Sequence, residues 1–109
     1  MHRLLVVGRI DPAAESRIAD IFANADSTDL PTVAGTRHRS LYRLQDLFLH
    51  LIEADNPAPF RAAQGHPAFA EVGRRLPEYV APYLPTLTSP ADAMASCFYR
   101  WDAPVAVPR

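Results

Sequence analysis

Lysine is absent from this chain of 109 residues, and all eleven of its basic residues are arginine. Twelve acidic residues bring the formal net charge to −1, which argues against a dedicated nucleic-acid binder, because such proteins carry a basic surplus. The codon bias of a GC-rich genome is the simplest explanation for the arginine usage. Arginine nevertheless matches planar, oxygen-rich ligands better than lysine does.

Cysteine and glycine are also scarce. Cys97 is the only cysteine, which excludes an internal disulfide and a thiolate metal cluster. Four glycines leave little room for a phosphate-binding loop. The four histidines lack zinc-type spacing; they are His2, His38, His50 and His66. We therefore expect a protein that works without a metal or another cofactor.

Long apolar runs are missing as well. The longest early run, Leu4 to Val7, is too short for a signal-peptide core or for a membrane span, which needs about 20 residues. We expect a soluble, cytoplasmic protein with no membrane or nucleic-acid partner. The length and the hydrophobic share of 49% suit one globular unit, so we expect a single domain over residues 1–109.

Apolar periodicity and turn signals define the order of the elements. The predicted elements are a strand over 3–10, a helix over 13–25, strands over 33–44 and 46–54, a short helix over 60–64, a longer helix starting at 66–67, and a strand over 94–102. Residues 79–90 form a proline-rich connection. This order predicts an α+β, ferredoxin-like βαββαβ fold, whose four-stranded antiparallel sheet carries both helices on one face.

The strand over 46–54 is apolar on both faces, because side chains alternate along a strand. One face carries Leu47, Leu49 and Leu51, and the other carries Phe48, His50 and Ile52. Two helices cover only one face, and soluble monomers rarely expose a large apolar patch. We therefore expect a homodimer of the dimeric α+β barrel type, with a ligand cavity on the open sheet face.

His50 is the first candidate for chemistry. An imidazole between Phe48 and Ile52 can have its pKa moved across neutrality and act as an acid or a base. A buried histidine bonded to a backbone carbonyl is the equally weighted structural alternative. Phe48 and Ile52 are the candidates for the cavity wall.

Arginine and aspartate supply the other polar candidates. Arg39 lies on the strand over 33–44, where a guanidinium could hold an enolate or phenolate oxygen, although a solvated strand face explains any one such arginine better. Asp26 follows the first helix, and on sequence alone a turn or capping role is the stronger interpretation. Tyr42 and Trp101 complete the candidate substrate-binding set, although aromatic residues on strands more often belong to a core.

Several stretches together resemble one known family. They are Phe22–Pro31 (FANADSTDLP), Arg37–Arg43 (RHRSLYR), Gln45–Asp55 (QDLFLHLIEAD), His66-Pro67 with Phe69, and Phe98–Trp101 (FYRW). The chain is similar in these stretches to the small aromatic polyketide cyclases of bacterial type II polyketide pathways. The resemblance spans nearly the whole chain, and the DLFLHLIEAD stretch with the upstream DSTDLP is its most specific part.

The resemblance implies a cofactor-free, ferredoxin-like dimer that closes aromatic rings by intramolecular aldol condensation and loss of water. The implied substrate is a poly-β-ketone or a partly cyclised aromatic intermediate, with a polyketide synthase or an acyl carrier protein as a further partner. The family's functional positions correspond to His50, Arg39 and Asp26. Some relatives carry a histidine directly before that aspartate, where this chain has Ala25.

Two other functions are compatible with the same sequence, because a fold does not determine a chemistry. One is a cofactor-free monooxygenase that oxidises an aromatic polyketide. The other is a non-catalytic dimeric module that binds a pathway intermediate or steadies a synthase complex.

Overall fold

The computed structural model describes residues 1–105, so the last four residues of the expected single domain lie outside it. Its strands and α-helices are β1 (His2–Ile10), α1 (Glu15–Asp26), α2 (Leu30–Ala34), β2 (Thr36–Leu44), β3 (Leu47–Ala54), α3 (Pro59–Ala63), α4 (Pro67–Arg75), β4 (Val80–Pro82) and β5 (Met94–Ala95). Short 3-10 helices cover Pro12–Ala14, Leu76–Glu78 and Pro90–Ala93. No helix within residues 1–105 has the length and apolar character that crossing a bilayer requires.

The strands form one antiparallel sheet in the order β2-β3-β1-β4, and β5 also pairs with β1. This is the strand order of the predicted ferredoxin-like fold, so the predicted fold class is confirmed. The hairpin between β2 and β3 turns at Gln45 and Asp46, as the sequence predicts, and Gln45 has a φ of 54°. The backbone carbonyl of Asp46 accepts a hydrogen bond from the amide of Ile10, which ties the turn to the central strand.

The predicted last strand is the main error in the sequence analysis. Only Met94–Ala95 pairs with β1, at Leu5 and Val6, and residues 96–105 have no regular structure. The far end of the same β1 edge is occupied by β4, opposite Gly8–Ile10. A strand that runs antiparallel from Ala95 has only three β1 residues left to pair with, which is too few for the predicted nine-residue strand.

Gly8 makes the pairing with β4 feasible. A Cβ atom at this position would lie 2.9 Å from Cγ1 of Val80 and 3.1 Å from the carbonyl oxygen of Ala81. Glycine in a strand often marks such a close approach. The strand next to β1 at this edge is therefore β4, which comes from the proline-rich connection over 79–90. The sequence analysis assigned no element to this connection.

A second correction concerns the start of β2, which begins at Thr36 rather than at residue 33. Residues 30–34 form α2 instead. Pro31 lies in the first turn of this helix, where its fixed φ and missing N–H are tolerated, so it starts an element rather than breaking one. Gly35 ends the helix in the left-handed region, with a φ of 73°.

The two faces of the sheet have different surroundings. Phe48, His50 and Ile52 of β3 are buried on the face that carries α1 and α4. The main core cluster consists of Ile10, Ala14, Ile18, Phe22 and Phe48. The opposite face, called the open face below, is lined by Leu5 and Val7 of β1, Tyr42 and Leu44 of β2, and Leu47, Leu49 and Leu51 of β3. Tyr42 and Leu44 are exposed and the three β3 leucines are half-buried, so the described chain leaves this apolar surface partly uncovered.

Candidate functional site

Three polar side chains from three elements meet between α1 and the sheet. Asp26 is the last residue of α1, Arg39 lies on β2 and His50 lies on β3. The register pairs Arg39 with Ile52 and Leu41 with His50, so Arg39 and His50 are diagonal neighbours on the same sheet face. The structure therefore brings the three predicted polar site residues together.

Arg39 lies at the centre of this Asp26–Arg39–His50 cluster. Its Nε donates to Oδ2 of Asp26 and its Nη2 donates to Oδ1, both at 2.9 Å. Its Nη1 donates to Nε2 of His50 at 2.8 Å. A guanidinium has no acceptor, so Nε2 of His50 is the acceptor and the proton of the neutral ring is on Nδ1. Asp26 thus contacts Arg39 and acts on His50 only through it.

Phe22 is a site residue that the sequence analysis did not single out. Its ring centroid lies 4.8 Å from that of His50, and Cζ of Arg39 lies 5.1 Å from the centroid of the Phe22 ring. Guanidinium groups are attracted to aromatic faces at this distance. The available signal was the spacing of four residues between Phe22 and Asp26, which places both on one side of α1.

The three residues of the cluster are buried to different degrees. The His50 residue is 5% exposed, whereas the side chains of Arg39 and Asp26 are 15% and 35% exposed. Burial of the imidazole, together with the charge of Arg39, lowers the pKa of His50 from 6.5 to about 3. His50 is therefore neutral near pH 7, and the charges of the cluster belong to Arg39 and Asp26.

The contacts of Arg39 leave part of its hydrogen-bonding capacity unused. A guanidinium has five N–H bonds. The bonds to Asp26 and His50 use the Nε–H, one N–H of Nη1 and one of Nη2. Within the part of the chain that the structure describes, one N–H on each terminal nitrogen remains available. The N–H groups that remain free on a held guanidinium are suited to bind an oxygen atom that carries negative charge.

A cavity of about 340 Å³ lies between α1 and β2, next to the cluster. Its lining residues are Ile10, Glu15, Ile18, Ala19, Leu41, Tyr42, Arg43 and Phe48. Leu41 is the register partner of His50, and the ring centroid of Phe48 lies 6.3 Å from that of His50. The cavity volume falls at the lower end of the range for small-molecule sites, which is about 300–1,000 Å³.

This position corrects the sequence analysis, which expected a cavity on the open sheet face. The cavity and the cluster lie on the helix-covered face, because the side of β3 that carries Phe48 and His50 packs against α1. Alternation along β3 defined two faces, but it did not show which of them the helices cover.

The other predicted substrate-binding residues are dispersed. Phe48 lines the cavity, but Ile52 is fully buried and is not a lining residue. Tyr42 borders the cavity, but its position on β2 places it on the open face with Leu49, and it is 55% exposed. Trp101 is 68% exposed and does not line the cavity, because the strand expected to position it does not form.

Ala25 faces a different environment from its neighbour Asp26. It is buried in a second core cluster with Leu30, Ala34 and Ala63. The position where some relatives carry a histidine is therefore occupied here by a small packing residue, and a larger side chain would disturb the contact between α1, α2 and α3.

His66 supports the chain segment that follows Asp26. Its Nδ1 accepts a hydrogen bond from the amide of Ala68 at 3.1 Å and caps α4. Its Nε2 therefore carries the proton and donates to Oδ1 of Asp29 at 2.6 Å. The same hydrogen bond lowers the pKa of the Asp29 carboxyl. One imidazole thus links α4 to the turn between α1 and α2.

An α+β sandwich with a held guanidinium beside a mostly apolar cavity is typical of proteins that bind small organic molecules. The family model for polyketide synthesis cyclases matches residues 2–102. The chain therefore belongs to the polyketide synthesis cyclase family, as its motifs predict.

Individual relatives agree with this assignment. The chain is 43% identical to tetracenomycin F2 cyclase of Streptomyces glaucescens over 94% of its own length and 96% of the relative. It is 43% identical to the polyketide synthase protein CurG of Streptomyces cyaneus, over 94% of this chain and 98% of that one. An uncharacterized protein of Streptomyces coelicolor is 48% identical, over 94% and 96% of the two chains. The solved structure of the S. glaucescens cyclase, described as a type-II polyketide cyclase, superposes with a TM-score of 0.87 at 42% identity and covers 95% of this chain and 100% of that chain.

Proposed function

We propose that this protein is a cofactor-independent polyketide cyclase that closes a ring by intramolecular aldol condensation and loss of water. Its substrate is a poly-β-ketone or a partly cyclised aromatic intermediate. The observation that carries the proposal is the pair of unused N–H donors on Arg39, held by Asp26 and His50 beside an apolar cavity. Family membership and the names of the polyketide-pathway relatives support it.

Arg39 has the central role in this proposal. Aldol closure begins when a methylene between two ketones loses a proton, and the resulting enolate oxygen needs stabilisation. Bound between Asp26 and His50, the guanidinium does not have to reorganise when that charge develops. The sequence contains no lysine, so no lysine Schiff base is available and the enolate route is favoured.

Asp26 is the base in our proposal. Its carboxylate is the most exposed group of the cluster, and it forms an ion pair with the guanidinium of Arg39. The substrate oxygen on the free N–H groups of Arg39 would lie close to this carboxylate, so that the neighbouring methylene can transfer its proton to it.

His50 contributes to proton transfer only after the enolate has formed. With the cavity empty, its low pKa makes it a weak base, and Nε2 is engaged by Arg39. A bound enolate offsets the charge of Arg39, which removes one cause of the lowered pKa and raises it. His50 then accepts a proton from solvent and delivers it to the new alkoxide, while Asp26 releases to solvent the proton that it took from the methylene, so that the proton transfers balance before water leaves.

The cavity controls which carbon atoms react. A flexible polyketone can cyclise in several ways, so selection of one ring depends on holding it in one conformation. Phe48, Ile18 and Leu41 form rigid apolar walls next to the cluster. Tyr42 borders the cavity edge, whereas Ile52 packs behind it.

The test is product analysis after the purified protein is added to a minimal aromatic polyketide synthase with its acyl carrier protein, the expected partner. We expect one ring pattern to dominate without added metal or nucleotide, and Arg39→Gln to lower turnover at least about tenfold. Arg37→Gln is the matched control, because Arg37 lies on the same strand in an exposed ion pair with Asp55. Identical products with and without protein would exclude the proposal, and oxygen consumption would indicate the monooxygenase alternative.

A non-catalytic binding module is the second candidate, and the low pKa of His50 favours it, because a template needs no acid or base. The two candidates differ in the response to Asp26→Asn. A cyclase loses turnover while it keeps its ligand affinity, whereas a template changes affinity and keeps the ring pattern.

We further propose that the protein forms a homodimer through the open face. Leu49 and Leu51 lie on this face, and the same chain also exposes an aromatic segment whose Phe98 is 99% exposed. A second copy can cover both surfaces at once, whereas the described part of one chain covers neither. Light scattering should show a dimer at micromolar concentration and a monomer for Leu49→Glu; a wild-type monomer would contradict this proposal.

A further inference from the structure

Two arginine–carboxylate pairs join α1 to β2, and one of them lies in the wall of the cavity. Asp26 and Arg39 form the pair already described. In the second pair, Nε of Arg43 donates to Oε1 of Glu15, and Nη1 of Arg43 donates to the backbone carbonyl of Gln45 at 2.9 Å. Glu15 and Arg43 both line the cavity. The proposed function uses the first pair and assigns no role to the second.

The geometry of the two elements sets the distance between these pairs. Arg39, Leu41 and Arg43 alternate on one face of β2, so the two arginine Cα atoms lie roughly 13 Å apart at 3.3 Å per residue. Glu15 and Asp26 stand at opposite ends of α1, about 16 Å apart at 1.5 Å per residue. The space between the pairs is walled by Ile18, Ala19, Leu41 and Phe48. The cavity wall is therefore mostly apolar and contains the guanidinium of Arg43, and the guanidinium of Arg39 lies on the far side of Leu41 along the same strand.

We propose that Arg43 is a second oxygen-binding residue that determines which substrates the cavity accepts. It would bind a carboxylate or an anionic oxygen at the end of the substrate remote from Arg39, and Glu15 would hold Arg43 while the cavity is empty. This inference rests on the proposed function and narrows its substrate class to elongated intermediates with an acidic oxygen at the remote end.

Replacement of Glu15 by a ligand oxygen on Arg43 costs little free energy. Both side chains of the Glu15–Arg43 pair are partly exposed, and exposed ion pairs contribute only about 0–1 kcal/mol. A planar guanidinium binds carboxylate oxygens in a two-pronged geometry. A ligand that fills the apolar cavity can therefore replace Glu15, and Arg43 keeps its hydrogen bond to the carbonyl of Gln45 as an anchor.

Two substitutions with opposite effects on ligand affinity distinguish a substrate-binding arginine from an ion pair that only joins α1 to β2. If Arg43 binds the substrate, Glu15→Gln removes a competitor and strengthens binding, whereas Arg43→Gln weakens it. If the pair only joins α1 to β2, both substitutions break the same contact and change binding in the same direction. The matched control is the exposed Glu71–Arg74 pair on α4, tested with the same two types of substitution.

The binding experiment uses two stable tricyclic probes, 1,8-dihydroxyanthraquinone-3-carboxylic acid and the same molecule without the carboxylate. For the carboxylate, we expect Arg43→Gln to raise Kd about tenfold and Glu15→Gln to lower it severalfold, in line with a charge-assisted hydrogen bond. Arg43→Lys should fall between wild type and Arg43→Gln. The probe without carboxylate and the Glu71→Gln and Arg74→Gln controls should show little change.

Three results would overturn the subsite: no binding of the carboxylate by wild type, equal effects of Glu15→Gln and Arg43→Gln, or changes matched by the α4 controls. Circular dichroism of each variant verifies that it is folded, and Arg43→Lys decides the question if Arg43→Gln does not fold. Turnover with the minimal synthase is measured separately. If the wild type cyclises the substrate but Glu15→Gln and Arg43→Gln change Kd equally, only the subsite is rejected. If the two substitutions change Kd in opposite directions but no cyclisation occurs, only the proposed reaction is rejected.

Discussion

Acidification from pH 7 to pH 5 should destabilise this protein through His50. In the unfolded chain the imidazole has its ordinary pKa of 6.5, whereas in the fold burial and the charge of Arg39 lower the pKa to about 3. Between these values the unfolded state binds one proton more than the folded state. The free energy of unfolding therefore falls as the pH decreases through this window.

The magnitude follows from the two pKa values. Each pH unit between them corresponds to about 1.4 kcal/mol, so the His50 contribution reaches about 2 kcal/mol by pH 5 and about 4 kcal/mol by pH 3. A domain of this size is typically stable by only about 5–15 kcal/mol, so the loss is large enough to measure. The contribution of His50 levels off about one pH unit above the ordinary pKa of 6.5, where the imidazole is neutral in both states.

The assay compares urea unfolding of wild type and His50→Gln at pH 7, 6 and 5. Glutamine does not titrate in this range, and its side-chain oxygen can accept the hydrogen bond from Arg39. His38→Gln is the control, because His38 is an exposed histidine on β2. All other titrating groups, including Arg39 and Asp26, are shared with the variant, so the difference in pH dependence isolates His50.

We expect the wild type to lose about 2 kcal/mol more than His50→Gln between pH 7 and pH 5, and the His38→Gln control to follow the wild type. Parallel pH profiles of the wild type and His50→Gln would refute the reasoning. They would show that the imidazole is either protonated in the fold or not buried as described.

Three further substitutions test other parts of the structure. Phe22→Leu removes the ring that contacts His50 and Arg39, and it should lower the free energy of unfolding by about 1–3 kcal/mol, measured in urea. Gly8→Ala places a Cβ against β4 and should destabilise by about 1–3 kcal/mol, with faster hydrogen exchange at the amides of β4; unchanged exchange would argue against the close approach. His66→Ala removes the cap of α4 and the bond to Asp29, and it should lower stability by about 1 kcal/mol; a thermal midpoint equal to that of the wild type would contradict this role.

Much of the candidate site could be predicted from motifs, but its arrangement could not. The resemblance identified His50, Arg39 and Asp26 because they lie in recognisable segments. The order within the cluster, with Arg39 between the other two, depends on the β2–β3 register and on the end point of α1. Phe22 was not singled out because an aromatic residue on an apolar helical stripe has the same pattern whether it packs in a core or against a guanidinium.

The errors in the sequence analysis concern contacts that are remote along the chain. The strand over 94–102 was predicted from its local composition, but a strand needs a free edge, and only three residues of β1 remain beyond the pairing of Leu5 with Ala95, because β4 occupies the opposite end of this edge. Trp101 was expected at the cavity because it belonged to this predicted strand. Since the strand does not form, Trp101 is exposed and does not line the cavity. The proline-rich composition around Val80 concealed a short strand that depends on Gly8.

The sequence by itself determined the local elements and their order: β1, α1, the hairpin of β2 and β3, and α4 follow from apolar periodicity, capping and turn residues. Only the tertiary structure decided which face of β3 the helices cover, and therefore that the cavity lies beside α1. It also decided the lowered pKa of His50, because burial and the approach of Arg39 arise when β2, β3 and α1 pack together. Alternation along a strand is a local property, whereas the surroundings of each face are set by residues distant in the chain.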